Sequence, residues 1–245
     1  MFEENIYLAL GALVTLAVLQ RVMYVSLFQT VFKITFKDAP VRSLLFFSLW
    51  SSIYVFLFPV QTAKLFESVT LIGFIFLLFV FIVIFPLVFR FLRLHVGVPI
   101  WLSQKFPTQT ALSLEEQYIV AKAGDVISQQ LIGGVLIFLL LGLGMSYVNI
   151  VLIFVIIFAF SHIYLFFSSG FIWGLHYTMF ATAGGFAIPF IILFVPGGVV
   201  YAIIFHMLFY VLSAAFFAKL PRPAVSVSRD ILHDNPLWLD KSEVQ

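Results

Sequence analysis

Residues 147–168 read YVNIVLIFVIIFAFSHIYLFFS, twenty-two positions without an Asp, Glu, Lys or Arg. A helix needs about 20 mostly apolar residues to cross a bilayer, and this run is long enough. Six more runs have the same character, at 5–32, 43–63, 68–89, 123–144, 170–195 and 198–218. The first contains Arg21, which leaves its inner end open. The 170–195 run contains His176, Gly184, Gly185 and Pro189 and is expected to kink or break. The pattern predicts an all-α fold, a polytopic membrane helical bundle of about seven transmembrane helices.

Composition supports the same class. Of 245 residues, 63% are hydrophobic and 18% aromatic, 32 of them Phe, and only 10% are charged. Soluble domains carry about 25% charged residues, so this chain cannot cover a water-facing surface. A soluble globular protein, a disordered chain and a nucleic-acid binder are excluded. With no Cys there are no disulfides, thiolate metal sites or thiol nucleophiles. The alternating strands of an outer-membrane barrel are absent. Residues 1–218 read as a single transmembrane domain, and 219–245, with Pro221, Pro223 and Pro236, as an extended cytoplasmic tail. The N-terminal run opens on Glu3 and Glu4 and lacks a cleavage signature, so it reads as a retained helix.

Orientation follows from Lys and Arg in the loops. Seven spans put Lys33, Lys37, Arg42, Arg90, Arg93, Lys105, Lys122, Lys219, Arg222, Arg229 and Lys241 on one side, and Lys64 on the other. That asymmetry predicts an N-terminus outside and a C-terminus in the cytoplasm; the plasma membrane is the expected location, although nothing in the sequence selects among membranes. Within the 90–122 connection, Trp101 suits an interfacial anchor and Pro107 breaks the chain. Ser113 and Glu116 then form a capping box from which a helix can run into the fourth span.

Ionisable groups inside a span are costly and are therefore candidates for function. Asp125, Ser128 and Gln129 share one helix face. Asp125 reads either as a general base facing a polar cavity, or as a headgroup-level carboxylate bonded to a neighbouring helix. His162 and His206 fall in the cytoplasmic half to middle of the fifth and seventh spans. Each is a catalytic donor or a helix–helix hydrogen bond. His176 suits packing, and Arg21 snorkels toward the cytoplasmic surface. The adjacent Glu115 and Glu116 are better explained as capping residues than as an acid–base pair. Gly170 and Gly174 permit close helix packing, and Pro196-Gly197-Gly198 reads as a tight turn. No phosphate loop, HExxH zinc motif or nucleophile elbow is present.

Over roughly residues 110–218 the chain resembles the CPBP family of intramembrane proteases, which includes the CAAX prenyl endopeptidases and abortive-infection-type proteins. Phe158 through His162 matches the family's FxxxH motif. Pro196-Gly197-Gly198 through Tyr210 is similar to the turn and helix that carry its HxxxN or HxxxD motif. Ala123 through Gln129 occupies the place of its EExxxR motif. Gly124 stands at the first glutamate, Asp125 at the second, Gln129 at the arginine and Tyr210 at the Asn or Asp. The resemblance implies an endopeptidase acting on membrane-associated peptides or proteins. Asp125 would be its acid, His162 and His206 its donors, and Gln129 and Tyr210 its substrate or oxyanion support. It implies no metal and no cofactor, and membrane lipids as surroundings. The motif departures leave open an inactive relative acting as a membrane scaffold or immunity protein. A small transporter component is a further alternative. Oligomeric state is not legible in the sequence.

Overall fold

The structure, a computed structural model, describes residues 5–32, 39–96, 116–168 and 171–219. Every described element is a helix. The first, α1 (Ile6–Val22), is capped by the Asn5 side chain, which accepts from the Tyr7 and Leu8 N–H groups at 3.1 Å each. It passes directly into a π-helical segment, π1 (Met23–Val31). Helix α2 (Pro40–Leu57) and the short α3 (Pro59–Phe66) follow. Then come α4 (Leu71–Phe79), π2 (Val80–Ile84) and α5 (Phe85–Val96) as one continuous apolar rod. The rest is α6 (Glu116–Gly142), α7 (Tyr147–Ser168), α8 (Phe171–Phe194) and α9 (Gly198–Lys219).

Among the described residues, four stretches are long and apolar enough to cross a membrane: Pro40–Leu57, Leu71–Leu92, Tyr118–Gly142 and Gly174–Phe194. The runs at Ile6–Val22, Tyr147–Ile163 and Gly198–Ser213 form shorter apolar helices. Many large hydrophobic side chains point outward, among them Ile72, Phe56 and Phe160, as a lipid-facing surface requires.

Two expectations are corrected here. The 43–63 run is not one helix: Phe58 leaves helical geometry (φ −124°, ψ 55°) and Pro59 restarts the chain as the first residue of α3. Proline disfavours the α conformation in the residue before it, so the break has a local cause. By contrast, α8 is not broken and runs through Pro189 to Phe194. Proline is tolerated inside membrane helices because neighbouring groups can satisfy the freed carbonyl. The capping residues Ser113 and Glu115, the anchor Trp101 and the tail from 220 onward lie outside the described residues.

Helix α6 is the axis of the bundle. In its spanning window 67% of residues are buried, against 17–33% in the other three candidate spans. One face joins α1 and α2 through Tyr118, Ala121, Val135 and Leu139. The opposite face joins a second core, with α3 to α5 and α7 to α9, through Ile119, Val126, Leu131, Ile137 and Leu140. The turn before α9 is set by Gly197, at φ +68°, a conformation that L side chains rarely adopt. Its N–H donates to Ser68 Oγ at 2.8 Å, tying that turn to the α3–α4 connection.

The most extensive helix pairing is that of α7 with α8. It depends on Gly185, where a Cβ would meet the Val155 Cα at 2.7 Å. The obstacle is backbone, which cannot swing aside. Gly185→Leu should therefore destabilise the fold by about 1–3 kcal/mol, read as a lowered Tm in detergent. An unchanged Tm would mean that this close approach does not exist.

Candidate functional site

The polar face of α6 begins one turn earlier than the sequence suggested. Lys122, counted above among the loop cations, is not in a loop. It lies on α6, three residues before Asp125, and is buried. Its ammonium pairs with Asp125 Oδ2. The other carboxylate oxygen accepts from Gln129 Nε2 at 2.8 Å. Spacings of three and four put these side chains on one face, so one helix supplies the anion, its counter-ion and an amide. The Lys122 Nζ also sits 4.5 Å from the centroid of the Tyr210 ring on α9, within cation–π range.

Gln20 of α1 carries the network across to α2. Its Nε2 donates to Ser128 Oγ at 2.9 Å, and its Oε1 accepts from the Tyr54 hydroxyl at 2.9 Å. The neighbouring Gln130 faces α9, where its Nε2 lies 2.8 Å from His206 Nδ1. The His206 ring stacks on Tyr210 at 5.6 Å between centroids.

His162 is oriented by its own helix. Its Nδ1 lies 2.8 Å from the Phe158 carbonyl oxygen and 3.0 Å from Ser161 Oγ, and Ser161 itself donates to that carbonyl at 2.8 Å. A carbonyl only accepts, so the Nδ1 carries the proton and Nε2 is left as an acceptor. The ring is parallel to Tyr177 of α8 within 9°, centroids 6.2 Å apart.

Part of this network lines a cavity of about 730 Å³, a typical size for a small-ligand site. Asp125, Gln129, His162 and Tyr210 all line it, together with Lys122, Ser161, Gln20 and Arg21. Four of the five residues singled out in the sequence thus share a wall. His206 is not on that wall; it stands behind it, joined through Tyr210 and Gln130. His176 is apart, bonded to Ser213 Oγ at 2.8 Å and packed against Phe180 and Phe209. Arg21 and Tyr24, at the junction of α1 and π1, close one side of the cavity. π-Helical turns are rare and occur often at functional sites.

Gly124, which stands where the resemblance has its first glutamate, turns away from the cavity. A Cβ there would lie 2.8 Å from Leu44 Cδ1 and 3.5 Å from Phe47 Cβ, so the position serves the α2–α6 contact. Among the described residues no group of three or more His, Cys, Asp or Glu could hold a metal ion. The residues missed in the sequence are Lys122 and Tyr54. Lys122 was detectable, because a helix starting at the Ser113 box already includes it at three-residue spacing from Asp125. Tyr54 carries no such local signal; Gln20 stands out as an amide inside an apolar run, but nothing in the sequence pairs it with Ser128. No family model, curated protein or solved structure matches the chain.

Removing one member of a buried ion pair strands the other charge, at about 3–5 kcal/mol. Lys122→Met should lower stability on that scale, and adding Asp125→Leu should restore most of it. Equal losses in the single and double variants, measured by thermal unfolding in detergent, would show that the two side chains do not pair.

Proposed function

We propose that this chain is a seven-span integral membrane protein of the CPBP type, whose intramembrane cavity receives a membrane-associated peptide or protein and hydrolyses it. The observation that carries the reading is the shared cavity lined by Asp125, Gln129, His162 and Tyr210. The spans are α1 with π1, α2, the α4–α5 rod, α6, α7, α8 and α9. The Lys and Arg distribution supports an N-terminus outside and a C-terminus in the cytoplasm, with the plasma membrane as the proposed location.

Hydrolysis needs a base for the water and donors for the oxyanion. The Asp125 carboxylate is already engaged by Lys122 and Gln129. His162 lines the same cavity and keeps its Nε2 as an acceptor, so in this reading it takes the water proton and returns it to the leaving amine. Asp125 then acts as a fixed anion beside it, an orienting rather than proton-accepting role. Tyr210 and the second N–H of the Gln129 amide are the donor groups on the cavity wall for the substrate carbonyl, and His206 stacks on the Tyr210 ring.

The engaged carboxylate and the glycine at position 124 favour a second reading. In it the cavity binds its peptide without cleaving it, and the protein is an inactive relative serving as scaffold or immunity protein.

The two readings separate in proteoliposomes carrying a panel of transmembrane peptides. The enzyme reading expects cleavage by the wild type, falling by about 100-fold or more in His162→Ala and also falling in Asp125→Ala and His206→Ala. Cleavage unaffected by all three would remove the site assignment. Peptide retention without cleavage would select the inactive relative.

A further inference from the structure

The cavity is not uniform along its length. On α6 its wall is a single stripe that runs from Tyr118, Lys122, Asp125 and Gln129 to Ile132, Gly133 and Leu136. From Asp125 to Leu136 that stripe climbs roughly 16 Å at 1.5 Å per residue. On α7 the order is reversed: Phe154 and Phe158 come first, Ser161 and His162 last. The helices meet with matching ends, since Gly133 faces the Phe154 ring, 3.5 Å from a Cβ placed there. One end of the slot is therefore polar and the other is hydrocarbon. Gly133 adds room at the apolar end, because any larger side chain would project into it.

We propose that the cavity is a binding site for a single-chain lipid, a fatty-acyl chain with a small polar head. The head lies among Asp125, Gln129, Ser161 and His162, and the chain runs between Leu136, Phe154 and Phe158. This rests on the cavity being the substrate site, and it names the chemistry that site takes. The volume of about 730 Å³ suits one chain. Polar contacts fix the depth of the head, and because a chain coming from the bilayer is already in hydrocarbon, close packing of the methylenes against the apolar end holds it in place. A peptide without a lipid chain would leave the apolar end unfilled.

The test uses the full chain in proteoliposomes with a palmitate analogue carrying a diazirine near its methyl end. After irradiation, labelled positions are mapped by mass spectrometry. Labelling is expected at Ile132–Leu136 and Phe154–Phe158, saturable, and displaced by unlabelled palmitate. Gly133→Phe should reduce it at least tenfold while leaving the polar end intact. If that variant does not fold, Leu136→Trp blocks the same end, and saturation in the wild type decides independently of either. Non-saturable labelling, as strong at the outward-facing Phe160 as in the slot, would overturn the proposal. So would undiminished labelling in both blocking variants, or displacement by a lipid-free peptide but not by palmitate. Binding is read without any cleavage. Saturable labelling in a protein that hydrolyses nothing would leave this site standing and the hydrolase reading fallen.

Discussion

Neither a carboxylate nor an ammonium can face hydrocarbon unpaired, and Lys122 and Asp125 answer that constraint within a single helix. Their pairing is possible because α6 is walled in by protein on almost all sides. The helices around it, apolar toward lipid, shield its polar face. That division of labour explains the two cores: one clasps α6 from the α1–α2 side, the other from the side of α3 to α5 and α7 to α9.

A polar stripe on a shielded helix still has to be satisfied residue by residue. Ser128 does so through Gln20 of α1, whose amide Tyr54 of α2 completes, and the Gln130 Nε2 does so through His206 of α9. Lys122, Asp125 and Gln129 instead line the cavity, with His162 of α7 on its wall as well. The site is thus where the polar groups of α6 meet open space rather than a neighbouring helix. The π-helical segment after Arg21 widens the chain where α1 meets this space.

Much of this was legible in the sequence, for physical reasons. Long uncharged runs such as 147–168 and 198–218 mark helices because nothing else hides its backbone from lipid. Asp125 and Gln129 were visible as a costly polar pair at i, i+4 spacing. Other features were hidden or misread. Pro59 splits a run, 43–63, that contains no charged residue, so a reading based on the absence of charge passes over it. Pro189 produced the opposite error, since surrounding helices support a chain that proline would break in water. Lys122 was assigned to a loop by the rule that basic residues lie outside the membrane. That rule fails when a carboxylate three residues away is the partner. The Gln20–Ser128 bond joins residues 108 apart in the chain, and no pattern within one helix points to it.

The central claim is that α6 and α7 present their polar side chains to each other across one cavity. Because the chain has no cysteine, a paired substitution reports on this without background. A short bis-methanethiosulfonate cross-linker, which forms a disulfide with each cysteine and releases sulfinate, applied to Gln129→Cys/His162→Cys in proteoliposomes should bridge the two quickly, whereas Gln129→Cys/Phe160→Cys, with Phe160 turned outward, should stay unbridged. Equal reaction of the two pairs, or bridging of the outward one alone, would contradict the account.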